Sequence, residues 1–308
     1  MTAALTALAA ALARGEKAAL ALALARLERD PDGAETLALL DAAWRAPRAE
    51  VIGLTGPPGV GKSTLTGALI GEFRRAGRRV AVIAVDPSSR RSGGALLGDR
   101  VRLATDPEDA GIFVRSMAAR DRLGGLAGLT VAAMVLMRAL YDVVLIETVG
   151  VGQSETDVAA AADTVVFCVQ PGSGDSLQFM KAGIVEIPHI VVVTKADMGA
   201  AAGRALTDVS GALGMAEDES GWRVPVLALS ALNREGVTAL TEALAARAAF
   251  LKAEGRLAGQ RQAQAGDWLA DAVRERYGRE GLKRAGSLSL PPGEPPFGRL
   301  QEVLRHLR

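Results

Sequence analysis

Seven short runs of aliphatic residues, VIGLT, VAVIAV, IFV, VVLIE, VVFCVQ, IVVVT and PVLAL, recur between residues 51 and 229, with helix-like stretches between most of them. Near-continuous apolar runs mark strands buried on both faces. Strands that alternate with helices wind into a mostly parallel sheet. The expected fold is therefore α/β, with a doubly wound sheet whose ligands sit beyond the carboxyl ends of the strands.

The loop leaving the first run is GPPGVGKS, residues 56–63, and it opens the helical stretch TLTGALIGEF. This strand, G-x-x-x-x-G-K-[ST] loop and helix form the context that gives the motif meaning. The backbone from Gly56 through Pro57, Pro58, Gly59, Val60 and Gly61 is expected to cradle phosphates, together with the helix start at Thr64, because unpaired amides and the helix dipole favour anions there. Lys62 is expected to reach the outer phosphates and the Ser63 hydroxyl to bind Mg²⁺.

The base is read further along. TKAD, Thr194 to Asp197, ends the run IVVV and has the [NT]KxD form of guanine-binding proteins. The Asp197 carboxylate can accept from the guanine ring N–H and exocyclic amine, and the Lys195 stem can lie over the base. One strand later, the backbone amides of Ser230, Ala231 and Leu232 can donate to the guanine carbonyl. A site built to pair polar groups rejects an analogue that lacks them, so GTP is expected over ATP.

Three further segments, VDPSSRRSGGALLGDR (85–100), ETVGVGQSE (147–155) and PGSGDSLQFMKAG (171–183), resemble signature segments of the MeaB/ArgK family. That family, which includes the methylmalonic aciduria type A protein, comprises the G-protein chaperones of adenosylcobalamin-dependent acyl-CoA mutases. The resemblance runs from about Val51 to Ser230 and implies a SIMIBI-like P-loop GTPase domain. It places Asp86 and Asp99 in a first switch region and Glu147 to Gly150 in a second. Carboxylates at Asp86, Asp99 and Glu147 converging on one strand edge repel one another unless a cation sits among them. Mg²⁺ on GTP is that cation, giving a metal set of Ser63, Asp86, Asp99 and Glu147 and a catalytic set of Lys62, Asp86, Asp99 and Glu147. Gly150 is expected to bring its amide to the γ-phosphate.

Gln153 lies three residues past Gly150, unlike the spacing of the usual glutamine-dependent switches. Slow hydrolysis accelerated by a partner is therefore expected, since positioning and charge stabilisation carry phosphoryl transfer. Arg90, Arg91 and Arg115 are candidate charge donors or ordinary solvated arginines. In the family the PGSGDSLQFMKAG loop acts as a third switch that contacts the mutase. This implies partner-coupling roles for Gly172, Gly174, Asp175, Gln178 and Lys181, and Asp175 can also cap a following helix. Ser173 and Phe179 depart from the Ala and Gly often found at their positions.

Other readings share parts of this pattern. A nickel-insertion maturation GTPase is opposed by one Cys and two His residues, and a signal-recognition GTPase by seven scattered Met. A transport-associated kinase-like ATPase is opposed by TKAD. Thirty-six basic against thirty-five acidic residues argue against a nucleic-acid partner. Cys168 is expected to be a core thiol and His189 structural or exposed, and the single Cys fits a reducing, cytoplasmic setting. The N-terminal Ala/Leu run lacks the leading basic residues of a signal peptide, and no apolar run reaches the ~18 residues of a membrane span.

The expected organisation is a helical N-terminal extension over 1–48, a P-loop GTPase domain over 49–250 and a helical C-terminal dimerisation arm over 251–308. The tail reads as helical through Tyr277 and without a core of its own, so it is expected to pack on the domain or on a second subunit; together with the family resemblance this implies a homodimer. Trp268 is equally a candidate for a subunit contact or for ordinary packing. GTP or GDP and Mg²⁺ are the implied cofactors, and adenosylcobalamin enters only through the partner mutase.

Overall fold

The computed structural model describes residues 3–86, 103, 105–106, 108–118, 128–148, 150, 157–172, 188–213 and 221–307. Each of the seven apolar runs supplies a strand, with Gln170, Thr194, Pro225 and Leu229 lying just beyond the strand ends: β1 (Glu50–Thr55), β2 (Val80–Asp86), β3 (Ile112–Ala118), β4 (Val143–Glu147), β5 (Thr164–Val169), β6 (Ile190–Val193) and β7 (Val226–Ala228). They form one sheet in the order β3-β2-β4-β1-β5-β6-β7, and every pairing is parallel. The sheet is the one that strands alternating with helices lead one to expect.

The helices are α1 (Ala3–Ala13), α2 (Lys17–Arg29), α3 (Ala34–Arg45), α4 (Lys62–Arg75), α5 (Gly128–Leu140), α6 (Ala200–Leu213), α7 (Val237–Lys252), α8 (Arg256–Ala285) and α9 (Pro296–Leu307). Contacts divide the chain into two units. The first holds residues 1–49, 127–142 and 255–308, and the second holds residues 50–126 and 143–254.

In the second unit the side chains of β5 and β6 alternate between two covered faces. Val166, Cys168, Ile190 and Val192 join Leu65, Leu69 and Phe73 of α4 and Leu240 and Leu244 of α7 in one core. Phe167, Val169, Val191 and Val193 pack with Val209 and Leu213 of α6 on the other. Burial on both faces is why the runs carry no polar alternation. Arg74 at the end of α4 forks onto Asp109 through two bonds of 2.8 Å. Arg78 reaches Glu50 at 3.2 Å and stacks 5.2 Å from the Phe73 ring. These arginines serve the domain itself.

In the first unit the tail has a core, contrary to the expectation that it closes none. Leu269 and Val273 of α8 pack with Leu300, Val303, Leu304 and Leu307 of α9. Trp268 meets Phe297 at 5.0 Å, edge to face, so it takes part in ordinary packing. Trp44 of α3 approaches the same Phe297 at 6.4 Å. Helix α8 also runs beyond Tyr277 to Ala285. Gly278 takes φ +66° and ψ −163° there, breaking the helical geometry where the sequence pattern fades, and the helix resumes after it.

Candidate nucleotide site

At Thr55 the chain leaves β1 and turns through Gly56–Gly61 into α4. Gly56 has φ +132°, and a Cβ there would fall 2.2 Å from the Cys168 carbonyl oxygen, so only glycine passes so close to β5. The first amides of α4 have no partners inside the helix, and the positive end of its dipole lies with them. Lys62 is buried, and its ammonium donates to the carbonyls of Gly56 at 2.7 Å and Pro57 at 3.0 Å. The charge is thereby fixed against the loop.

Glu147, the last residue of β4, stands level with Leu54 of β1 and Ala84 of β2 and is 7% exposed. Burying a carboxylate is costly without hydrogen bonds or a cation. The Ser63 hydroxyl donates to Oε1 at 2.5 Å. The Thr66 hydroxyl lies 3.1 Å from Oε2 and 3.0 Å from the Lys62 carbonyl, which share its one proton. Ser63 and Glu147 thus bring hard oxygen donors together beside the phosphate loop, a donor set that suits Mg²⁺. The sequence reading passed over Thr66, although a hydroxyl one turn after the loop lysine is a visible signal.

Asp86 ends β2 two residues past Ala84, which places its backbone at the same carboxyl edge as Glu147. Its side chain lies outside the described residues, as do Asp99, Gln153, Arg90, Arg91, Ser173, Phe179 and the loop positions Gly174, Asp175, Gln178 and Lys181. Among the described residues no group of three or more His, Cys, Asp or Glu side chains is placed to hold a metal ion. Gly150 lies directly against Gly56 and Lys62, and Gly172 takes φ +77°. Arg115 sits on β3, level with Ile83 of β2.

At the TKAD turn, the Thr194 amide donates to the Val169 carbonyl at 2.8 Å. Its hydroxyl lies 2.7 Å from the Val60 carbonyl and 2.9 Å from that of Val169, so one residue ties TKAD to the phosphate loop. Lys195 follows with left-handed backbone, φ 53° and ψ 43°, and Nζ donates to the Gly59 carbonyl at 2.9 Å and to Gln170 Oε1 at 2.6 Å. Asp197 is exposed in the 3₁₀ turn Ala196–Met198. The Ser230 amide donates to the Glu235 carbonyl at 3.0 Å, and the Glu235 amide returns a bond of 3.1 Å. Leu232, two residues on, is 79% exposed.

Cys168 is fully buried, and burial pushes its thiol up to about 12; nearby Lys62 opposes the rise and Glu147 adds to it. His189 Nδ1 accepts the Val165 amide at 2.9 Å, and its carbonyl accepts Trp222 Nε1 at 2.8 Å. Both are structural. No described helix is long and apolar enough to cross a membrane.

A parallel sheet whose central strand runs into a glycine-rich loop and a buried helix-start lysine, with a TKAD turn strapped to that loop, defines a P-loop nucleotide-binding protein. A family model described as methylmalonyl Co-A mutase-associated GTPase MeaB matches residues 18–283. The chain belongs to this family and is a GTPase. A putative GTPase of Pyrococcus abyssi is 45% identical over 218 residues, 70% of this chain and 67% of that one. The mitochondrial methylmalonic aciduria type A homolog of Mus musculus is 39% identical over 228 residues, 73% of this chain and 55% of that one. Among solved structures, the LAO/AO transport system kinase superposes with a TM-score of 0.72 at 30% identity and 99% coverage of both chains.

Proposed function

We propose that this GTPase gates the loading of adenosylcobalamin into an acyl-CoA mutase, methylmalonyl-CoA mutase or a close relative, and the removal of damaged cofactor from it. The family match over residues 18–283 carries this reading, because the family is described by its association with that mutase.

Within the site, the amides of residues 56–64 bind the phosphates, and Lys62 neutralises charge that develops on the outer ones. Ser63 and Glu147 would hold Mg²⁺, with Asp86 and Asp99 completing the set. The ion, when bound, withdraws charge from the transferring phosphoryl group. Gly150 brings its amide towards the γ-phosphate. Asp197 reads the guanine donors. The ring carbonyl falls to the amides of Ala231 and Leu232, because that of Ser230 serves Glu235. Gly172, Gly174, Asp175, Gln178 and Lys181 couple this chemistry to the mutase, which raises a slow intrinsic turnover. The protein works as a homodimer in the cytoplasm. The core within the tail means that α8 and α9 need no second subunit to cover those apolar residues.

The test is phosphate release from GTP by the purified protein, alone and with candidate acyl-CoA mutases, beside an ATP control and Lys62→Ala. One mutase is expected to raise the GTP rate severalfold while ATP and Lys62→Ala stay inactive. Equal GTP turnover with and without every mutase would remove the client while leaving the GTPase.

A further inference from the structure

Gln170 had no place in the sequence reading, yet it makes the shorter of the two bonds that Lys195 Nζ gives, 2.6 Å against 2.9 Å to the Gly59 carbonyl. We propose that Gln170 is a positioning residue for the guanine nucleotide: by holding Lys195 against Gly59, it keeps the lysine stem across the plane where the base sits. This rests on the reading of TKAD as the base reader.

Lys195 is one of three non-glycine residues at positive φ among those described. Side chains rarely adopt that backbone unless their surroundings over-determine it. The backbone around it is well tied, with Thr194 bonded to Val169 and the Ala196 amide donating to the Leu229 carbonyl at 3.0 Å. The side chain is the harder part to fix. Four methylenes and an ammonium lose much rotamer freedom when ordered. The bond to Gly59 involves an exposed loop carbonyl, where water competes for the ammonium.

A second acceptor on a different element changes this. Lysine is donor-only, so the group facing it is the amide oxygen of Gln170, and the bond is charge-assisted. Gln170 directly follows Val169, whose carbonyl accepts the Thr194 amide. The pairing of β5 with β6 therefore sets both ends of the Gln170–Lys195 contact. Two anchors, one on the phosphate loop and one at the end of β5, define the direction of the stem where one would leave it free to rotate.

The experiment is dissociation of fluorescent mant-GDP from the wild type, Gln170→Met, Gln170→Glu, Lys195→Met and the Gln170→Met/Lys195→Met pair. Methionine keeps the length of glutamine and removes the acceptor, and glutamate restores an acceptor with charge. Gln170→Met is expected to speed release about threefold to tenfold. Gln170→Glu is expected to return it to within about twofold of wild type. In the Lys195→Met background, Gln170→Met is expected to change nothing further, since its effect runs through that lysine. The same acceleration in both backgrounds, or no recovery with glutamate, would mean that Gln170 acts on the fold and would overturn the proposal.

Asp197→Asn, measured with mant-GDP and mant-XDP, checks the reading beneath. An asparagine amide donates where xanthine carries a second carbonyl, so preference should move from GDP to XDP. An unmoved preference would remove the base site and this proposal with it, whatever the Gln170 variants do.

Discussion

A Cβ placed on Gly150 would fall 1.9 Å from the carbonyl oxygen of Gly56 and 2.6 Å from Lys62 Nζ. Gly150 therefore packs directly on the first residue of the phosphate loop. Gly150 also has φ +79°, a conformation that costs an L side chain about 1–2 kcal/mol. Gly150→Ala must displace Gly150 or the phosphate loop, and the proposed function places both against the phosphates. The expected outcome is loss of about 1 kcal/mol or more of stability and a GTP turnover reduced by about tenfold or more. Thermal melting and phosphate release measure the two, and wild-type turnover in Gly150→Ala would show that the close approach is irrelevant to hydrolysis.

Cys168 faces the core between α4 and the sheet, and its pKa near 12 keeps the thiol protonated in the folded protein. In the unfolded chain it ionises near 8.5. Its folded value is raised, so the stability it contributes is complete below about pH 8.5 and is lost as pH rises towards 12. The folded protein is expected to resist iodoacetamide at pH 8 for as long as it stays folded, with alkylation following the unfolding rate in denaturant. Rapid modification without denaturant would contradict the burial.

The central strands were legible because a strand covered on both faces is apolar at nearly every position, as in β4, β5 and β6, and Phe167 and Cys168 show neighbours pointing into two different cores. Likewise, the phosphate loop and the turn at TKAD stood out because each is a motif of local spacing at the end of a strand. Contacts that depend on strand register were hidden. Gln170 and Lys195 lie 25 positions apart, and Thr66 meets a carboxylate 81 positions away. The tail's core was hidden for another reason. In α8 only Ala265, Leu269, Val273 and Gly281 are buried among many charged residues, and the matching apolar face belongs to α9, beyond a loop.

That core makes a stability prediction. Leu269 is fully buried, and removing its branched side chain leaves a cavity between α8 and α9. Leu269→Ala is expected to cost about 2–5 kcal/mol. Equilibrium unfolding in urea reads the change, and a loss below about 1 kcal/mol would mean that the two helices collapse readily onto the gap.

Asp41 of α3 carries a pH dependence on the acid side. Burial raises its carboxyl above the usual range, and Glu294 adds to the rise, while the Arg45 guanidinium and the Gly298 amide pull it down. Oδ1 is buried and has no hydrogen-bond partner among the described residues. A carboxyl raised in the folded state binds its proton more tightly folded than unfolded. Its stabilising effect is therefore complete below the unfolded value of about 3.9 and is lost as pH rises through the folded one. Asparagine resembles the protonated form at every pH and keeps an oxygen for the Gly298 amide. Asp41→Asn is expected to melt above wild type at pH 7.5, with the difference shrinking as pH falls towards about 4. Melting curves across that range decide it: if wild type is the more stable protein at pH 7.5, the contacts of ionised Asp41 with Arg45 and Gly298 outweigh the cost of burying its charge.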